Sequence, residues 1–330
     1  MGRQRPDAGE VESMRVYIDQ NHWISLARAA VGHEMGNAYL PVLEALERAV
    51  AADLVEVPLS AIHMFEVAGT ALERRRRDVV DRMLALSGGR FLLPFTSVYP
   101  AEVENAVRRS LGEDEIEIAP SLTSHGVAHA LGQRPVITGV PPNLVAALHD
   151  AIASVDATRL FMVLDKGDEY RASSRASEEG AATEINAIRT RARAAGASRQ
   201  ELLEHNQRDF MRNQYVPLLL QCMEERQIPA NDWERRLAPP KPGELEVMMS
   251  CPSIDAWLAL EVWRDFDWDR AVTGNDFRDQ AFLSVAVPYC DIVVTERYFG
   301  GLLQRSGLAE RQGVQVITRL EDLPTLLPRT

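Results

Sequence analysis

The sequence predicts an α/β fold, a central parallel sheet flanked by helices, with a large and mainly helical insertion. Three observations predict it. Strand-like and helix-like segments alternate from about residue 14 to 95, they alternate again from 253 to 330, and between 96 and 245 apolar residues recur mostly at helical spacing. The α/β body is thereby read as two halves, 14–95 and 253–330, on either side of the insertion.

Met14-Arg-Val-Tyr-Ile-Asp19 is a β-branched and apolar run closed by an acid, the pattern of a buried strand. Helical signals follow at about His22 to Val31 and again after Asn37, where Leu40, Leu43, Leu46 and Val50 keep helical spacing. Leu54-Val-Glu-Val57 before Pro58 reads as the second strand, and Ser60 as the cap of a helix carrying Ile62, Phe65, Glu66 and Gly69. A helix to Leu86, a break at Gly88-Gly89 and a short strand Phe91-Leu-Leu93 come next. Gly112 to Pro142 has loop composition. Helices are expected from Asn143 to Val155, from Ala181 to Ala195 and from Ser198 to Arg226, the last kinked at Pro217, which lacks an N–H. Ala238-Pro-Pro-Lys-Pro-Gly243 has linker composition. Ser253 then caps a helix with Trp257, Leu260, Glu261 and Trp263. A helix from Asp276 to Val287, a strand Asp291-Ile-Val-Val-Thr295, a helix from Arg297 and a strand Val314-Gln-Val-Ile317 end the series.

With 330 residues, 46% hydrophobic and 25% charged, the chain has globular composition, which excludes disorder and fibre. Ala281 to Cys290 is broken by Pro288 and followed by Asp291, far short of the roughly 20 apolar residues that cross a bilayer, so no membrane partner is expected. The polar start, with Asp7, Glu10 and Glu12, shows no apolar run of a secretory signal. Cys222, Cys251 and Cys290 are widely spaced and lack a CxxC, against a disulfide framework or a zinc site, and a cytoplasmic location is expected. A net charge of −12 excludes a uniform basic coat for duplex nucleic acid. Local basic runs at Arg74 to Arg77 and at Arg189, Arg191, Arg193 and Arg199 read as solvated helix faces, with nucleic-acid contact by the second run as the alternative.

In parallel α/β sheets functional groups gather at the carboxyl ends of strands. Asp19 ends the first strand, Glu66 lies on the helix after the second, Asp276 and Asp279 open a late helix on one face, and Glu296 follows Thr295. Several carboxylates in one cleft repel each other, and a hard divalent cation with oxygen ligands is the usual compensation, which implies Mg²⁺ or Mn²⁺. Bland readings stand beside this one. Asp276 and Asp279 also suit a helix cap and its first turn, and Glu66 suits the surface of an amphipathic helix. Asp19, directly after Val16-Tyr-Ile18, needs a partner or a ligand.

These pieces resemble a PIN-domain nuclease. Tyr17-Ile-Asp19, Phe65-Glu66, Asp279 with Ala281 to Ala286, and Ile292-Val-Val-Thr-Glu296 are similar to that family's four acidic motifs in order, and Phe299 resembles the aromatic after its last acid. In the common pattern one residue separates the Thr from the last acid, whereas Glu296 is adjacent and is glutamate. Asn275-Asp-Phe-Arg-Asp279 followed by Tyr289-Cys-Asp291 resembles a PIN-like subgroup. The resemblance covers about half the chain. It implies a metal-dependent endoribonuclease in which Asp19, Glu66, Asp276 and Asp279 hold Mg²⁺ or Mn²⁺, Glu296 is a weaker or outer ligand, and a bound water attacks the phosphodiester, leaving a 5′-phosphate. RNA is then the expected partner, while a second copy of the chain and a protein partner or inhibitor are left open. The alternatives are a DNA-directed nuclease and a PIN-like binding or assembly module.

Strand rise places Asp291 more than about 10 Å from the end of its strand, so it is expected to be structural. His125-Gly-Val-Ala-His129 has ligand spacing but lacks the glutamate of HExxH. Asn21 and His63 read as cap or core groups, and Trp233, Trp257, Trp263 and Trp268 as packing residues. Neither GxxxxGK[ST] nor GxSxG is present.

Overall fold

The computed structural model describes residues 13–133, 140–229 and 250–328. The linker-like Ala238 to Gly243 and Trp233 lie outside them. The chain is mostly helical around a small parallel sheet, and it divides into two compact units. The first comprises Met1–Pro94, Leu122–Ala176 and Tyr289–Thr330; the second comprises Phe95–Ser121 and Ser177–Pro288. These units differ from the sequence boundaries, because 122–176 belongs with the sheet and 253–288 with the helical unit.

In the first unit β1 (Met14–Ile18) leads into α1 (Gln20–Ala30), then α2 (Leu40–Ala51), β2 (Val55–Glu56), α3 (Ala61–Gly69), α4 (Glu73–Ser87) and β3 (Arg90–Leu92). After the passage through the second unit come β4 (Thr123–His125), α6 (Pro142–Ala153) and α7 (Val155–Val163), the helix numbers left out here being those of helices wholly or partly in the second unit. The unit is completed by β5 (Ile292–Val294), α13 (Arg297–Arg305), α14 (Leu308–Gln312) and β6 (Gln315–Ile317). The sheet order is β2-β1-β5-β6 and every pairing in it is parallel. Val16, Ile18, Ile292 and Val294 are buried with Trp23, Leu26, Leu43, Leu46, Val80 and Met83 from α1, α2 and α4, which is why these helices carry apolar stripes.

The piece expected as a further strand, β3, does form. It pairs antiparallel with β4 in a separate two-stranded ribbon and touches the end of β2 only at Leu59 and Phe91. The break before it is set by Gly88, which closes α4 in the left-handed conformation at φ 60°. Arg76, inside the run taken for a solvated face, is 2% exposed; its guanidinium bonds the carbonyls of Thr70, Ala71 and Val163. Arg77 instead makes a surface pair with Glu73. Asp291 accepts the Arg15 amide at 2.8 Å, and its own amide bonds the Arg15 carbonyl, which ties the entry of β5 to β1.

The second unit is built from α5 (Phe95–Leu111), the later part of α8 (Gly167–Ala194), α9 (Arg199–Phe210), α10 (Val216–Glu225), α11 (Pro252–Asp265) and α12 (Gly274–Tyr289, to Pro288). The kink expected at Pro217 is a wide π turn, Met211–Tyr215, that ends just before α10 and accommodates the missing N–H. Ser253 does not cap α11. The buried Glu102 carboxylate does, accepting both the amide and the hydroxyl of Ser253. Trp257 stacks on Phe95 at 4.6 Å and Arg199 lies over Trp263, so these indoles are packing groups. Arg189 is 6% exposed and bonds the carbonyls of Asp265, Asp267 and Arg270, while Arg193 bonds that of Trp268. The alternation of arginines on α8 thus pins α8 to the chain after α11.

Arg189→Ala is expected to destabilise the protein by about 3 kcal/mol, since it strands buried carbonyls bonded to a charged donor. The exposed Arg191→Ala should stay within about 0.5 kcal/mol. Urea unfolding of both variants measures the difference, and equal effects would return Arg189 to the solvated face.

Candidate functional site

The order β2-β1-β5-β6 reverses direction between β1 and β5: from β1 the chain moves outward to β2, and from β5 it moves the opposite way to β6. Loops leaving the carboxyl ends of two such strands part company, and the crevice between them is where open α/β sheets bind ligands. The residues at that point are Asp19 and the pair Thr295-Glu296.

Asp19 prolongs β1, its amide bonding the Val294 carbonyl of β5, and its own carbonyl accepts the amides of His22 and Trp23 to start α1. It is 3% exposed. Glu296 is the corresponding residue after β5, the N-cap of α13, with its carbonyl accepting the Gly300 amide. Gly300 lets α13 lie close to the end of β6, because a Cβ there would stand 2.3 Å from Thr318 Cγ2. Burial first, and then the charge of Glu296, push the Asp19 carboxyl up from its ordinary value to about 6, while the amides of Gln20 and Glu296 pull it back. Asp19 makes no ion pair with any described residue.

A clamp holds this end of β1. Ser60 N–H donates to His63 Nδ1 at 2.9 Å, so the ring hydrogen sits on Nε2 and donates to the Ile18 carbonyl at 2.9 Å. The Tyr17 hydroxyl bonds Ser60 Oγ at 2.9 Å and its ring stacks on His63. Burial pushes His63 down to about 3, so the ring is neutral. This triad joins the start of α3 to β1, and Glu66 follows His63 by one turn, half-buried, with Oε2 shut off from solvent. Burial makes the Tyr17 hydroxyl a much weaker acid than usual, its pKa pushed well above the ordinary value, and the charges of Asp19 and Glu66 both add to the rise. Asp19 and Glu296 therefore meet at the carboxyl ends of β1 and β5, while Glu66 lies on α3 and its charge reaches Tyr17 of β1.

Residues that flank this point in sequence also carry buried polar atoms. Gln20 Oε1, His22 Nε2, Trp23 Nε1 and Thr295 Oγ1 have no hydrogen-bond partner among the described residues. Each such atom costs about 1–3 kcal/mol, a burden that binding sites carry and cores avoid. A hydrated divalent cation fits this chemistry, since it would relieve the Asp19–Glu296 repulsion and its waters would donate to Gln20 and Thr295. Among the described residues no three His, Cys, Asp or Glu side chains are grouped closely enough to hold a metal without rearrangement.

Asp276 and Asp279 lie in the second unit, both buried on α12. Asp276, read from sequence as a metal ligand, has both oxygens engaged: Arg270 bonds them at 2.7 Å each and the Thr273 amide adds a third bond at 2.8 Å. That is the helix-cap alternative, reinforced by an arginine. Asp279 is 6% exposed, one turn further along. His125 and His129 each face a backbone carbonyl, of Gly88 and Leu122, and occupy β4 and a separate short helix. His63 is the cap and core group expected from sequence, in a capping box with Ser60; what sequence did not show is the link of both to Tyr17 and the Ile18 carbonyl.

An acid whose folded-state pKa is raised stabilises the fold only while protonated. The Asp19 contribution is therefore present near pH 4 and lost as pH rises through about 6, a change of about 3 kcal/mol. In chelator, Asp19→Asn should gain stability relative to the parent chain as pH rises from 4.5 to 7.5. A difference that stays constant across that range would show that the carboxyl is not held in a hostile environment.

Comparison with protein-family models, with curated proteins and with solved structures returns no match to this chain.

Proposed function

We propose that the chain is a divalent-metal-dependent endoribonuclease of PIN-like type, with its centre at the carboxyl ends of β1 and β5. One observation carries this reading above the others: a buried aspartate without an ion-pair partner faces a second carboxylate at the point where the sheet order reverses. Asp19, Glu66 and Glu296 would hold Mg²⁺ or Mn²⁺. Such an ion supplies an activated water and offsets the charge of a phosphodiester. The protein's own part is to hold the end of β1 that carries Asp19, through the His63 bond to the Ile18 carbonyl, and to present Gln20 and Thr295 as acceptors for water. The resemblance also names Asp279 and Asp276, on α12, but both oxygens of Asp276 are taken by Arg270 and the Thr273 amide, so Asp279 alone of the two is left as a candidate.

A specific observation favours a second reading, a PIN-like binding module. Asp276 is neutralised by Arg270, which removes one of the acids that the family pattern would place on a cation. The DNA-directed alternative differs only in substrate.

Single-stranded RNA and DNA incubated with the protein and Mn²⁺ or Mg²⁺ test these readings together. RNA cleavage should need the cation, leave a 5′-phosphate, and fall about a hundredfold or more in Asp19→Asn and in Asp279→Asn. It should fall severalfold in Glu296→Gln. Cleavage of DNA alone selects the DNA-directed form. Cation-dependent binding without cleavage selects the binding module.

A further inference from the structure

Most arginines in the first unit are committed: Arg15 to Glu56, Arg82 to Glu47, Arg159 to Asp81, Arg171 to Asp165 and Asp168, and Arg76 to three carbonyls. Arg28, Arg48, Arg74, Arg75 and Arg175 are not, nor are Arg297 and Arg319, which follow the ends of the paired strands β5 and β6. Both are exposed, and neither makes a hydrogen bond, ion pair or ring contact with its side chain to any described residue. Their places in the sheet are related. Val294 of β5 pairs with Ile317 of β6, and the Thr295 amide extends that ladder to the Ile317 carbonyl. Arg297 lies three residues beyond Val294 and Arg319 two beyond Ile317, so the two leave the same carboxyl edge from adjacent parallel strands, about 4.8 Å apart. Glu296 immediately precedes Arg297. Glu321 and Asp322 follow Arg319 without pairing with it.

In a chain of net charge −12, an exposed arginine has acids within easy reach. Two that stay unpaired just beyond the ends of adjacent paired strands, at the edge that carries Asp19 and Glu296, are placed for an outside anion. We propose that Arg297 and Arg319 bind the phosphodiester backbone of a nucleic-acid strand laid across the carboxyl ends of β5 and β6, beside the acidic centre. This rests on the reading that the site takes a nucleic acid, and it gives that strand a position. Arginine suits the task because its planar fork donates two parallel bonds to phosphate oxygens. Positive charge at this edge also answers how an acidic chain holds a polyanion, a task that Arg189 and Arg193 cannot perform while bonded to carbonyls.

The test is fluorescence anisotropy with a labelled oligouridine and the matching oligothymidine, on the full chain in EDTA over a range of salt. EDTA stops metal-dependent cleavage, so binding is read apart from catalysis. Arg297→Ala and Arg319→Ala should each weaken binding severalfold and lower the slope of log K against log salt by about 0.7, the signature of one lost single-strand phosphate contact. RNA and DNA should lose equally, since the contact is to phosphate. Arg48→Ala, at an exposed site in the last turn of α2, should leave the slope unchanged. An unaltered slope in both edge variants, or an equal fall in Arg48→Ala, overturns the proposal. If the parent chain cleaves RNA while the edge variants keep its slope, only this placement fails; if the slope falls but no cleavage is found with any cation, the placement stands and the nuclease reading fails.

Discussion

The parallel pairing of β1 with β5 is the constraint on which the rest of the first unit depends. It fixes Asp19 by its backbone on both sides, through the Val294 carbonyl below and the start of α1 above, so the carboxylate cannot withdraw to solvent. The same pairing brings Glu296 to the neighbouring strand end. Folding thus forces two acids together in a buried place, at a cost of about 3 kcal/mol for Asp19 near neutral pH. The Tyr17-Ser60-His63 clamp, the Asp291 bond to the Arg15 amide and the close seating of Gly300 on Thr318 hold the strands and helices that impose this arrangement.

Two buried aspartates in this chain show how differently the same side chain can be treated. Asp276 is matched by a bidentate arginine and a helix-start amide, which is what a structural acid needs to stay ionised. Asp19 receives backbone amides but no arginine or lysine, and its near neighbour is another acid. Sequence spacing treated them as members of one set. Their surroundings separate them, and the contrast is the reason that the functional reading centres on Asp19.

Much of the fold was legible because it is written locally. β1, β5 and β6 are short β-branched runs, α1 and α2 carry their apolar residues on one stripe, and Gly88 marks a helix end. What could not be read depends on partners distant in sequence. Phe91 and Leu92 have strand composition whether they join the main sheet or the ribbon with β4. Arg76 and Arg189 look like members of charged helix faces, yet each is drawn inward by carbonyls from other segments. Ser253 looks like a cap because nothing near it announces Glu102, which lies 151 residues earlier. In the site, Asp19 stood out because an acid after an apolar strand is costly, whereas nothing linked Arg297 and Arg319 until the register put β5 and β6, whose ends they follow, side by side.

Binding of Mn²⁺ to the full chain at pH 7.5, followed by the loss of its free-ion paramagnetic resonance signal, tests the central claim most directly. The account predicts saturable binding by the parent protein that is lost in Asp19→Asn while the variant remains folded. Absence of binding by the parent protein, or undiminished binding in Asp19→Asn, would contradict it.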